Sequence, residues 1–323
     1  MSRHLPDLRP IVVTNCTTRK RAPDPPVCLS AVSGCETLPN LAKRWAALLR
    51  KAPRRTAAGD LYVGRAIAES KYVARSLGAD LYVVSAGLGL VRETDLVPNY
   101  DLRVGASGGP LKGALQTSGE LSTRWWAVLT GRAEAAGSLA DLVCARPDRM
   151  VFVALPSSYL RMVGDDLATI GGKAAQRLRI FTSAAGQAEV PEHLWHCVLP
   201  YDERLEALDG YNGTRAEFPQ RALRHFVELL GGHQLTPQDS HAAVTTALAG
   251  LKKRTPPTRQ KRTDPQIASM LREHWTSYAG SSTRLHRYLR DEALVACEQS
   301  RFRTLWRQVQ AEYQGWEASA RAA

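Results

Sequence analysis

The chain reads as an α/β protein, with a parallel-type central sheet flanked by helices and a small all-α C-terminal module of helix-turn-helix type. Three observations predict this. Short β-branched runs alternate with helical segments of about ten residues or more, the pattern of strands joined by crossover helices. Three of those runs end in small or polar residues, as strands do when they deliver the chain to a crevice at their carboxyl ends. A basic segment broken by prolines then separates the first part from a region of helical periodicity.

The elements follow in order. Ile11-Val12-Val13 is a strand that ends at Thr14-Asn15-Cys16 and leads into the basic turn Thr17-Thr18-Arg19-Lys20-Arg21. Residues 22–37, rich in Pro, Ser and Gly, read as loop. Residues 40–51 carry Leu41, Trp45, Leu48 and Leu49 at helical spacing, and residues 64–77 form a second helix. Asp80 to Ser85 is a strand with a Leu-Tyr-Val-Val core, ending at Ser85-Ala86-Gly87. Met150 to Leu155 is another, followed by Pro156-Ser157-Ser158-Tyr159, and Leu178 to Phe181 is a shorter one. Residues 217–230 place Phe218, Leu223, Phe226 and Leu230 on one helical side before Gly231-Gly232 stops the run. These boundaries give an α/β catalytic domain over 1–232, a basic flexible linker over 233–265 and a helical module over 266–323.

Composition narrows the function classes. The chain has 323 residues, 44% of them hydrophobic, enough for one large domain and a small one. Its formal charge is +12, and from Lys252 onward there are 14 Lys and Arg against 7 Asp and Glu. That segment alone contributes +7, so over half the excess charge lies in under a quarter of the chain. A polyanion, with nucleic acid the commonest, is the partner such a distribution implies. The six cysteines, at 16, 28, 35, 144, 197 and 297, form no Cys-x-x-Cys. With no finger-type His spacing either, the expectation is no metal site, no cofactor and reduced thiols. Residues 1–10 lack the apolar core of a signal peptide, and no apolar run approaches a membrane span, so a cytoplasmic protein is expected.

Familiar catalytic motifs are absent. There is no Gly-x-x-x-x-Gly-Lys-Ser/Thr loop, no complete Gly-x-Gly-x-x-Gly, no His-Glu-x-x-His and no Gly-x-Ser-x-Gly elbow. What remains is a polar set around the strand ends: Asn15, Cys16, Ser85, Asp95, Tyr100, Asp101, Ser157 and Tyr159. If the strands are parallel, the three polar ends face one crevice. In the C-terminal region, Gly280-Ser281-Ser282-Thr283 precedes a segment containing Arg284, Arg287 and Arg290, and Ser300 precedes another containing Arg301 and Arg303. Each reads as an N-cap and a basic helix, so these five arginines are the expected contacts to double-stranded DNA.

Several of these stretches together resemble a known family. Val83-Val84-Ser85-Ala86-Gly87-Leu88-Gly89-Leu90-Val91, then Asp95 and Pro98-Asn99-Tyr100, is similar to the peroxide-stress YaaA-like superfamily and its relatives in phage-defence loci. Cys16-Thr17-Thr18-Arg19-Lys20 resembles their Cys-x-x-x-Lys opening, and Asp60-Leu61-Tyr62 their Asp-Leu-Tyr segment. Val153-Ala154-Leu155 with Ser158-Tyr159 looks like their second strand. The likeness covers about residues 11–165. Asn99 departs from it, standing between Pro98 and Tyr100 where the family has Pro-Tyr. The resemblance implies DNA binding, a uracil-DNA-glycosylase-like fold and, in some relatives, removal of modified bases from phage DNA.

Two functions are therefore expected in the alternative. One is a DNA glycosylase that hydrolyses an N-glycosidic bond to leave an abasic site, as an antiviral activity. Such an enzyme needs a carboxylate near the developing positive charge on the sugar, a group to orient water, and a pocket for a base taken out of the stack. Asp101 is the candidate carboxylate, with Asp95 second and Asn15 beside them. Cys16, Lys20, Ser85, Gly87, Tyr100, Ser157 and Tyr159 are the candidate substrate contacts, and Lys20 would be the amine of a lyase variant. The other function is a non-catalytic DNA-binding stress or regulatory protein.

Overall fold

A computed structural model describes residues 9–28, 37–102, 122–131, 137–253 and 257–322, with side chains to residue 315. The chain divides into two compact units, Met1–Arg254 and Thr255–Ala323.

The first unit is built on a five-stranded sheet. Its strands are β1 (Ile11–Asn15), β2 (Asp80–Ser85), β3 (Gly89–Arg92), β4 (Val151–Ala154) and β5 (Leu178–Phe181). They lie in the order β3-β2-β1-β4-β5. All neighbours are parallel except β2 and β3, which pair antiparallel with Ser85 opposite Gly89. The sheet is therefore mixed, where the sequence led us to expect a parallel-type one. The reversal is local. Gly89 adopts φ +80°, which a residue without Cβ takes at little cost, and the Leu88 amide donates to Ser85 Oγ at 3.1 Å.

Alternate residues of each strand enter separate cores, as a period of two requires. Val12, Leu81, Val83 and Phe152 pack on one face; Ile11, Val13, Val84, Val151 and Val153 pack on the other. The first face is covered by α1 (Leu38–Lys51) and α2 (Arg65–Leu77), among others. Pro39 sits in the first turn of α1 and Gly78 takes the left-handed conformation after α2, at φ +60°, the positions each residue type favours. Then come α3 (Ser122–Thr130), α4 (Leu139–Cys144) and α5 (Ser157–Met162), with α4 and α5 on the second face. The helix α6 (Phe218–Glu228) returns to the first face through Leu223 and Phe226, and Gly231 at φ +56° follows it.

The stretch expected as linker is in part ordered. Pro237–Leu248 forms α7, capped by Thr236, whose hydroxyl accepts from the Asp239 amide. Its Val244 and Leu248 join the first unit's core, and buried Ser240 Oγ accepts from Arg179 Nε at 3.2 Å. The first unit thus runs well past residue 232. Only two apolar side chains anchor α7, which is why its periodicity is faint in the sequence.

The second unit contains α8 (Asp264–Glu273), α9 (Ser282–Arg287) running into a π turn at Tyr288–Glu292, and α10 (Gln299–Ala322). Ile267, Leu271, Leu285, Leu289, Val295, Phe302, Leu305 and Val309 form its core. A two-residue parallel pair, Gln260–Lys261 with Val295–Ala296, adds β structure where an all-α module was expected. Eight residues, 274–281, connect α8 to α9. Among the described residues no helix is long and apolar enough to cross a membrane.

Candidate active site where the central strands diverge

The sheet order decides where a ligand site can form. From β1 the chain crosses to β2 on one side; from β4 it crosses to β5 on the other. Adjacent parallel strands whose connections leave in opposite directions open a crevice beyond their carboxyl ends. A cavity of ≈ 390 Å³ lies there. Asn15, Cys16, Thr17 and Thr18 line it from the end of β1, and Pro156, Ser158 and Tyr159 from the end of β4. Arg65 and Ala66 at the start of α2, Leu102, and Ala216 and Glu217 ahead of α6 complete the wall.

The lining groups are held firmly. Tyr159 Oη donates to the Cys16 carbonyl at 3.1 Å and lies 3.0 Å from Cys16 Sγ. A phenol has one hydrogen to give, so the thiol hydrogen points back to the phenol oxygen. Burial, and then the neighbouring Cys16, push the Tyr159 hydroxyl well above its ordinary pKa, so it acts as a neutral donor. Asn15 is also fixed: its Nδ2 donates to the Cys16 carbonyl, and its Oδ1 accepts from Gln220 Nε2 at 2.9 Å. The same Gln220 amide reaches Thr14 Oγ1 at 3.1 Å and the Ala154 carbonyl at 2.8 Å, tying β1 to β4 at the floor of the crevice. Arg65 spends its guanidinium on the Asn212 and Gly210 carbonyls and on Glu69, which sets the rim.

Glu217 is the one carboxylate among the described lining residues. It closes a capping box, accepting from the Thr214 amide at 3.1 Å and from the Thr214 hydroxyl. A carboxylate offers about four lone-pair positions, so two acceptor sites stay open for a further donor.

The other predicted residues fall elsewhere. Ser85 is fully buried, 2.6 Å from Tyr100 Oη and 3.1 Å from Tyr62 Oη, and the two tyrosine hydroxyls are 3.0 Å apart. Tyr100 is only 1% exposed, so its ring cannot offer a face to a base. Burial and the adjacent Cys16 raise the pKa of both Tyr62 and Tyr100, so this knot is neutral. Gly87 serves the same packing: a Cβ there would come within 2.6 Å of the Tyr100 ring, while its carbonyl accepts from Trp45 Nε1 at 2.7 Å. Lys20 lies over the Tyr100 ring, 4.2 Å from the centroid, and is not among the lining residues. Asp95 shapes a turn, accepting from the Arg92 amide at 2.7 Å, and borders a different cavity of ≈ 360 Å³ together with Leu88 and Gly87. Asp101 is exposed on a two-residue strand paired with Val27–Cys28; its neighbour Leu102 reaches the cavity wall. Ser157 opens α5 beside the lining Ser158.

Of the five C-terminal arginines, three are paired with acids. Arg290 binds Asp291 through two hydrogen bonds, at 2.8 and 2.9 Å; Arg287 lies 4.0 Å from the same carboxylate; Arg301 binds Asp264. Arg284 and Arg303 have no acid partner among the described residues. No cluster of three His, Cys, Asp or Glu with metal-site geometry occurs among the described residues.

Sequence reasoning missed Glu217, Thr17, Thr18, Ser158 and Arg65 as lining residues, and Gln220 and Tyr62 as supports. Thr214-Arg215-Ala216-Glu217 before an apolar helix is a legible capping-box signature, and it would have marked Glu217. Nothing in the sequence announces that Gln220 reaches Asn15.

Comparison with family models, with curated proteins and with solved structures finds no match for this chain.

Proposed function

We propose that this chain is a DNA glycosylase acting on a base, above all a modified one, that is extruded into the cavity beyond β1 and β4. The observation that carries this reading is the cavity of ≈ 390 Å³ at the divergence of the parallel strands, whose wall mixes apolar side chains with hydroxyls, a thiol and a single carboxylate among the described residues. Its size falls in the range of small-ligand pockets, about 300–1,000 Å³. Ser158 and Thr18 supply neutral donors and acceptors for a base edge, and Thr17 and Tyr159, whose hydrogens go to the Arg19 and Cys16 carbonyls, supply acceptors. The carboxylate role passes to Glu217, in place of Asp101 and Asp95, because Glu217 borders the cavity and they do not.

In this reaction the bond from the sugar C1′ to the base nitrogen breaks, and the base leaves with the electron pair. Glu217 stabilises the positive charge that builds on the sugar and accepts a proton from the water that attacks C1′. The proton that Glu217 takes from the water passes through solvent to the nitrogen of the departing base, so that water is divided between sugar and base and the carboxylate is restored. The basic second unit supports the choice of DNA as substrate, since contacts to backbone phosphates supply the sequence-independent affinity of DNA-binding proteins.

A binding-only reading has one observation in its favour. Asn15, Tyr159 and Glu217 are each already hydrogen-bonded within the protein, as in a body that senses a ligand without transforming it.

Mass spectrometry of bases released from modified and unmodified genomic DNAs separates the two. Glu217→Gln retains the capping box, which accepts Gln as well as Glu, and removes the charge. Base release should fall about 100- to 1,000-fold, the usual cost of removing one preorganised stabilising group. Asp101→Asn and Asp95→Asn should release at the wild-type rate. Loss in Asp101→Asn with none in Glu217→Gln would move the carboxylate role. Tight duplex binding with no base released from any DNA would leave the binding-only reading.

A further inference from the structure

The second unit sorts its charges. Each arginine that meets an acid does so away from one groove: Arg301 with Asp264, Arg287, Arg290 and Arg259 with Asp291, and Arg272 with Glu312 at 2.7 Å. Glu292 accepts from the Tyr278 hydroxyl at 2.9 Å. The groove itself, ≈ 290 Å³ in volume, is lined by His286 of α9 and by Gln299, Phe302, Arg303, Trp306 and Arg307 of α10, among others. Arg303 and Arg307 are exposed and have no acid partner among the described residues. Four residues apart on a helix, they stand on one face about 5–6 Å apart at Cβ.

The floor between them is rigid. Phe302 is buried in the unit's core, with the His286 ring 4.6 Å from it. Trp306 is half-buried, its Nε1 donates to the Gly280 carbonyl at 2.9 Å, and its ring packs on Trp275 at 6.0 Å. Two unneutralised guanidinium groups thus project from a stiff aromatic base. Guanidinium forks match phosphate oxygens, and an aromatic floor suits the apolar edge of a sugar.

We propose that this groove is the phosphodiester seat of the protein, in which Arg303 and Arg307 hold neighbouring backbone phosphates of a DNA strand. The proposal rests on the DNA reading above and deepens it. It assigns backbone contact to Arg303 and Arg307, and it removes Arg290 and Arg301, whose charges are already answered within the fold.

The test is fluorescence anisotropy of the full-length protein with a short labelled duplex over a range of salt. Each phosphate contact contributes about 0.9 to the slope of log affinity against log salt, so the Arg303→Ala/Arg307→Ala variant should lower that slope by about 2 and weaken binding at least ~10-fold. Arg303→Lys/Arg307→Lys, which keeps the charge, should retain most of the slope, and Arg290→Ala should match the wild type. A double alanine variant that binds as well as a wild type with measurable affinity would overturn the groove and leave the DNA reading standing. A wild type without duplex affinity even at low salt would overturn both. Displacement of DNA by inorganic phosphate, where chloride of equal ionic strength displaces none, would reassign the groove to a small phosphate ligand and also overturn the proposal.

Discussion

The two ends of the central sheet are built on opposite principles. At the amino ends of the strands, charge is buried and answered. Asp80, 9% exposed, takes Arg149 at 2.5 Å and Arg92 at 2.7 Å, and Arg149 is itself 3% exposed. At the carboxyl ends, the strands' own polar groups are neutral hydroxyls, amides and a thiol, with Arg65 and Glu217 brought to them by other elements, and they split again. Beyond β2 they close into the Tyr62–Ser85–Tyr100 knot, because the hairpin to β3 covers that strand end. Beyond β1 and β4 they line an open cavity among the described residues, because the chain leaves the two strands in opposite directions. The lesson is that conspicuous polar residues mark a site only where the topology leaves room; elsewhere the same residue types hold the fold together.

Substitutions can break this comparison, and the largest effect is expected at the charged end. Asp80→Ala leaves Arg149 buried without its counter-charge, and removal of one partner of a buried pair costs about 3–5 kcal/mol. Chemical denaturation should show a loss of that order, with the cavity-end functions intact in the protein that stays folded. The same group sets a pH dependence. Burial alone would raise the Asp80 carboxyl, but hydrogen bonds from Arg149 and Arg92 outweigh it and hold its pKa below the ordinary 3.8. The folded pKa being depressed, the contribution is present above the unfolded value and is lost as pH falls through the lower folded one. Wild-type stability should therefore drop as the pH falls below about 3.8, and Asp80→Asn should flatten that part of the curve.

The two tyrosines at the carboxyl end sharpen the contrast. Tyr100→Ala should destabilise by about 3–5 kcal/mol, as large-to-small changes of buried aromatics do. Gly87→Ala presses the same ring and should cost about 1–3 kcal/mol, read as a lowered melting temperature. Tyr159→Phe removes one hydroxyl at the cavity wall, so stability should change by about 1 kcal/mol or less while base release falls. Equal losses of stability for Tyr100→Ala and Tyr159→Phe would erase the distinction between knot and site.

Much of the scaffold was legible because it is local. Short runs rich in β-branched and other apolar residues marked β1, β2, β4 and β5, and side chains at helical spacing marked α1, α2 and α6, since burial on both faces or along one stripe leaves its period in the sequence. The three polar strand ends were visible for the same reason. That β1 and β4 are the adjacent pair that opens, whereas β2 folds back at Gly89, is a matter of strand order, which no local period encodes. Glu217 and Gln220 come from some 200 residues beyond β1, and only packing of α6 across the sheet brings them to Asn15 and Cys16. The arginines follow the same rule. Their number and the +7 of the C-terminal segment belong to the sequence, and Arg290 meets its own neighbour Asp291, but it was the fold that brought Asp264 against Arg301 and Glu312 against Arg272, because Coulombic pairing acts over ångströms in space and not over residues along the chain.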